Sequence, residues 1–128
     1  MEECCRLGHI SREDDRQTIE SVASHAVDIT VAGMPAMIVE FSGRLKSDLA
    51  NYLWQSTGSR VGIVHSRDPD TGVVSVSLRA DHMTDIDLVP VVKRFLTGGG
   101  HRAACGIVLQ PPIDMTDFLA KLAQVTDR

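Results

Sequence analysis

Gly98-Gly99-Gly100-His101-Arg102-Ala103-Ala104-Cys105-Gly106 is the stretch on which the reading of this chain turns. Three consecutive glycines remove every Cβ from a turn, so the backbone is free to take positive φ and to bring its N–H groups close to a ligand. An imidazole and a guanidinium follow at once. These side chains donate charge-assisted hydrogen bonds to anionic oxygens, each worth about 1.5–3 kcal/mol. The small residues behind them let the next element pack closely on a neighbour. A glycine run after an apolar helical segment is also a common helix C-cap and turn, so the surrounding chain has to decide between a phosphate loop and plain punctuation. At the second glycine, a Gly99→Val change is expected to damage the loop through φ restriction and steric block.

Downstream of the loop, Cys105 to Leu109 reads as a strand that Pro111-Pro112 breaks. Asp114 then caps a closing amphipathic helix whose apolar face is Met115, Phe118, Leu119, Leu122 and Val125. Upstream, Asp87 opens a helical run from Leu88 to Leu96, with Pro90 in the first turn, where a missing N–H is harmless. Before that come two strands, Arg60 to His65 and Val73 to Leu78, joined by the turn-forming Asp68-Pro69-Asp70-Thr71-Gly72. The spacing of Leu45, Leu49, Tyr52 and Leu53 predicts a helix from Leu45 to about Ser56, with Ser42 as N-cap and Gly58 as stop. Val27–Val31 and Met37–Phe41 alternate as strands around the turn chemistry of Ala32-Gly33-Met34-Pro35. A first helix, from Ser11 to about His25, buries only a thin stripe of Ile19, Val22 and Ala23. The order is α-ββ-α-ββ-α-β-α, an α/β (α+β) fold with a mixed five-stranded sheet flanked by helices. Residues 1–26 are expected to form a tail and linker helix, and residues 27–128 the domain.

The 128 residues suffice for one domain with a core of its own, and 43% hydrophobic against 23% charged is an ordinary globular balance. A net charge of −4 argues against coating long nucleic acid nonspecifically, since that affinity comes from many Lys and Arg contacts to phosphates. A local cationic pocket remains compatible with it. The three cysteines include the adjacent Cys4 and Cys5, so no disulfide framework is implied. That cysteine usage makes a reducing cytoplasm the expected setting, and since no apolar run reaches membrane-spanning length and the N-terminus is acidic, the chain is expected to be soluble and untargeted, with no membrane partner.

With the elements placed, four separated segments resemble the type-1 DHH-associated domain of the DHH phosphoesterase family. They are Ser77-Leu78-Arg79 at a strand end, Asp87 opening a short helix, Gly98-Gly99-Gly100-His101 followed by small residues and Gly106, and the helix Leu45-Lys46-Ser47-Asp48-Leu49-Ala50-Asn51-Tyr52-Leu53. The family pattern runs Ser-Leu-Arg-Ser, then Asp-Val, then Gly-Gly-Gly-Gly-His-x-x-Ala-Ala-Gly-Phe. The resemblance covers about residues 27 to 110. It departs at Ala80, which stands where the family has Ser, at Thr97 in place of the first glycine, and at Cys105 in place of the second alanine.

The resemblance implies a substrate-binding domain that works beside an N-terminal catalytic domain bearing the Asp-His-His motif and manganese, in cis or in trans. Substrates in such families include short oligonucleotides, single-stranded DNA, cyclic dinucleotides and 3′-phosphoadenosine 5′-phosphate. Carried onto this chain, Gly98, Gly99 and Gly100 form a backbone cradle, His101 donates to the phosphate, Arg79 pairs with it, and Arg102 falls at a variable position, either a further ligand contact or a solvated surface arginine. No catalytic residue, metal ligand or cofactor is implied within the chain. Asp81-His82-Met83 reads as a loop rather than a metal motif, and Cys105 as a small core residue. The second reading is a free-standing nucleotide-binding or oligomerisation module without activity, compatible with a homodimer.

Overall fold

A computed structural model describes residues 13–93, 95 and 99–124 of the chain. The elements are α1 (Glu13–Ala23), β1 (Val27–Val31), β2 (Met34–Glu40), α2 (Lys46–Thr57), β3 (Val61–Arg67), β4 (Val74–Ala80), α3 (Val89–Val92), β5 (Gly99–His101), β6 (Ala104–Leu109) and α4 (Met115–Ala123). Six strands form a single sheet in the order β1-β2-β3-β4-β6-β5. Among the described strands only β2 and β3 run parallel. Parallel neighbours need a crossover, and α2 supplies it.

Alternation along the strands divides the core between the two faces of the sheet. Ala36, Ile38, Val61, Ile63, Val74, Val76, Leu78, Cys105 and Ile107 join Leu88, Val91, Val92, Phe95, Phe118 and Leu122 on the side covered by α3 and α4. Val39 and Val64 point the other way and meet Leu49, Ala50 and Leu53 of α2 and Ile19 of α1. At Gly62 the backbone of α2 lies so close that an added Cβ would overlap the carbonyl oxygen of Ala50. That approach seats α2 directly on β3.

Local chemistry sets the ends. The β1–β2 hairpin turns through Ala32 (φ 50°) and Gly33 (φ 84°), the paired positive values of a type I′ turn. Asp114 caps α4 by accepting from the backbone N–H groups of Thr116 and Asp117. Gly58 ends α2 in the left-handed region at φ 77°. Ser42 is not the cap of α2: the helix begins after Leu45, and no side chain caps it. The described helical turn after Leu88 is only Val89–Val92, shorter than the periodicity predicts. The count of strands is also corrected, from five to six. Gly99–His101 pairs with Ala104–Cys105–Gly106 as a short edge strand, because a two-residue turn at Arg102 and Ala103 folds the glycines back onto β6. Residues 1–12, with Cys4, Cys5 and His9, lie outside the described residues, as do Arg94, Leu96, Thr97, Gly98 and Val125.

Candidate functional site

The register of the sheet brings the sequence-predicted residues into one row. Arg79 on β4 pairs with Ala104 on β6, and Ala104 pairs with His101 on β5. Directly paired residues point to the same face. Leu78 and Cys105 face α3 and α4, so Arg79, Ala104 and His101 face the α2 side. With strands about 4.8 Å apart, the Cα atoms of Arg79 and His101 stand roughly 10 Å from each other across Ala104. The next row along the same face is Ser77, Gly106 and Gly99. Between and behind the two polar side chains the floor therefore carries one methyl group, one hydroxymethyl group and two bare backbones. Apart from Arg79 and His101 themselves, no bulky side chain arises from β4, β6 or β5 in those rows.

Arg79 is held in place. Its Nη1 donates to the carbonyls of Leu78 (2.9 Å) and Cys105 (3.3 Å), and its Nη2 donates to Ser47 Oγ (2.8 Å) in the first turn of α2. Two of its donors, the Nε–H and the second N–H of Nη2, have no partner among the described residues. Partial burial lowers the pKa of the guanidinium, opposed by the neighbouring Cys105 thiol, and the group stays cationic. A charge partly removed from water attracts an anion more strongly than a fully hydrated one. His101 is exposed, and its ring has no hydrogen-bond partner among the described residues.

The glycines divide by role. Gly100 has φ 134°, and a Cβ there would come within 2.5 Å of the Ala104 carbonyl oxygen and 2.7 Å of Cys105 Cα. Gly99, by contrast, lacks a positive φ and an added Cβ would meet nothing within 4 Å. The expectation that Gly99 needs glycine for backbone freedom is thus corrected: Gly100 has that need. Gly98 lies outside the described residues.

Arg102 sits in the β5–β6 turn and its guanidinium is engaged elsewhere. Nη1 donates to the carbonyls of Thr84 (2.6 Å) and Ile86 (3.3 Å), and Nη2 to that of His82 (2.6 Å). Cys105 is buried on the opposite face, and its thiol donates to the His101 carbonyl at 2.7 Å. Burial, reinforced by Asp87, pushes its pKa up, so the proton is retained and the residue acts as core. Asp81 uses its carboxylate to accept from the Met83 N–H, closing the loop after β4. Among the described residues no three His, Cys, Asp or Glu side chains gather as a metal ion requires, and no helix is long and apolar enough to cross a membrane.

Sequence reasoning missed Ser47. Its contact with Arg79 joins residues 32 positions apart. Only the placement of α2 across β3 and β4 brings them together, and no local pattern carries that information.

No protein-family model matches the chain, and no curated protein matches it. Solved structures do. The fold is similar to that of an exopolyphosphatase-related protein from Bacteroides fragilis, with a TM-score of 0.63 and 15% identity over 88% of this chain and 34% of that one. An uncharacterized protein from Helicobacter pylori G27 is similar at TM-score 0.59 and 16% identity, over 89% of this chain and 33% of its own. The C-Ala domain of alanyl-tRNA synthetase from Aquifex aeolicus is similar at TM-score 0.52 and 16% identity, over 76% of this chain and 98% of that domain. At such identities the likeness establishes the fold. The chain spans about one third of the length of the first two proteins.

Proposed function

We propose that this chain is the substrate-binding domain of a DHH-type phosphoesterase, holding a phosphate of a nucleotide or short single-stranded nucleic acid between Arg79 and His101. The observation that carries the reading is the single row Arg79–Ala104–His101, with two hydrogen-bonding side chains flanking a floor of small residues on one face of the sheet. Arg79 supplies fixed positive charge through its two unused donors, and His101 donates from the far side. The backbones of Gly99 and Gly100 line the edge, with Gly98 adjoining them in sequence. Ser47 keeps the guanidinium from swinging into solvent. Such an arrangement binds and orients a phosphate and stabilises charge that develops on it.

Bond cleavage belongs to another domain in this reading. Manganese is assigned by the family resemblance to the Asp-His-His domain and not to this chain. Residues 27–128 are the binding domain and residues 1–26 lead to it from the catalytic partner, in the cytoplasm. The exopolyphosphatase-related neighbour, of which this chain spans only a third, supports a place within a longer phosphoesterase. A second reading, a nucleic-acid-binding module that works without hydrolysis, draws support from the C-Ala likeness, which spans nearly all of that domain.

Titration of the chain with a short 5′-phosphorylated oligonucleotide and with 3′-phosphoadenosine 5′-phosphate, followed by amide chemical shifts, tests the proposal. Saturable shifts at Arg79, Gly99, Gly100 and His101 that vanish in His101→Ala are expected. Shifts confined to the α3–α4 side of the sheet would overturn it.

A further inference from the structure

The edge strand β5 is three residues long, is paired on one side only among the described residues, and has two glycines that contribute no side chain to packing. Above Gly99 there is open space. Hydrogen bonds to β6 alone leave such a strand free to fray, yet it carries His101 and the glycine backbone of the proposed phosphate site. Its anchorage comes from the turn beyond it. Arg102 O accepts from the Leu88 N–H at 2.7 Å, and Ala103 O accepts from the Ala80 N–H at 3.0 Å. The Arg102 side chain adds three bonds to the carbonyls of His82, Thr84 and Ile86. Those carbonyls belong to alternate residues of the β4–α3 connection and converge on one planar fork, a geometry suited to guanidinium.

We infer that Arg102 is a positioning residue: it ties the β5–β6 hairpin to the connection at residues 82–88 and so holds His101 opposite Arg79, without itself contacting the phosphate. The functional consequence rests on the phosphate-binding reading above, whereas the anchorage does not. Three of its N–H groups point away from the site into backbone carbonyls, and a phosphate could recruit them only by breaking those bonds. An arginine beside a ligand loop is thereby assigned to the loop's support.

Arg102→Gln tests this with two readouts. In the ligand-free protein, hydrogen exchange should accelerate at least tenfold at Leu88 and across Gly99–Gly106, while amides of the β2–β3 pair keep their protection. Arg102→Lys, which keeps the charge but not the fork, should show the same pattern more weakly and serves if the Gln variant fails to fold. Unchanged exchange in the hairpin would overturn the anchorage. In the second readout, affinity for a short 5′-phosphorylated oligonucleotide is measured across a salt series below the melting temperature. Affinity should fall about fivefold with the slope of log K against log salt unchanged, because no phosphate contact is lost. In Arg79→Ala the slope should shrink by about 0.7, the value for one contact to a single strand. A comparable shrinkage in Arg102→Gln would contradict the positioning role. Failure of the wild-type protein to bind the oligonucleotide would refute the phosphate reading instead, and the exchange data would still decide the anchorage.

Discussion

At the scale of single residues, the proposed phosphate site rests most on Arg79. Its guanidinium is fixed by Leu78, Cys105 and Ser47 and has two donors without a partner among the described residues. Arg79→Ala should weaken phosphate binding by about 1.5–3 kcal/mol, roughly tenfold to a hundredfold, and calorimetric titration would measure it. Stability should change little, since the side chain is only partly buried. Gly99 and Gly100 make a second test. Gly100→Ala forces a side chain into a left-handed conformation against the Ala104 and Cys105 backbone, so it should destabilise the hairpin by about 1–3 kcal/mol. Gly99→Ala should leave the melting temperature nearly unchanged. The sequence could not separate these two glycines, because their difference lies in φ and in what stands across the hairpin. Neither leaves a mark on the local pattern.

At the scale of elements, most of the architecture was legible because its signals are local. Asp114 before an amphipathic run and Gly58 after one each describe a boundary within a few residues, and both stand in the structure, whereas the expected turn Ala32-Gly33-Met34-Pro35 closes already at Gly33, with Met34 and Pro35 paired in β2. The elements that escaped depend on partners distant in the chain. Three glycines carry no hydrophobic period, so β5 is a strand only by virtue of its hydrogen bonds to β6. The start of α2 after Leu45 likewise follows from how the helix docks rather than from a capping side chain. That docking is most exposed to test at Gly62, where α2 touches the sheet backbone. Gly62→Ala should push the helix off β3 and cost about 1–3 kcal/mol or more, measured as a lower denaturation midpoint. Because Ser47 rides on α2, the same variant should loosen Arg79 and lower affinity for phosphate, even at temperatures where the protein remains folded.

At the scale of the whole molecule, the sheet separates two tasks. One face is closed by α3 and α4 and carries the larger core; on the other, α2 lies over β3 and β4 with α1 against it, and among the described residues that face opens over β6 and β5. The row runs from Arg79, held beside α2, to His101 on the open edge. Sequence alone placed these residues in one site through family resemblance, since only the register shows that a single strand separates them. Stability as a whole should respond to pH through His65, whose pKa is lowered by burial, with Glu40 opposing and Arg67 reinforcing. A lowered histidine pKa means that the unfolded chain binds more protons than the folded one in the window below the ordinary value. Stability is therefore expected to fall as pH drops through about 6.5 and to level off below the folded pKa. Thermal melts across pH 5–8 would show the decline, and His65→Asn should flatten it.

The central claim, that Arg79 and His101 grip one phosphate across Ala104, is tested most directly by a double-mutant cycle. Affinity for a short 5′-phosphorylated oligonucleotide is measured in the wild type, in Arg79→Ala, in His101→Ala and in the double variant. Each single change should weaken binding at least fivefold, and the double variant should lose less than the sum, with a coupling of about 0.5 kcal/mol or more, as residues sharing one ligand group do. Unchanged affinity in both single variants would contradict the claim, and strictly additive losses would mean that the two side chains do not act on the same phosphate.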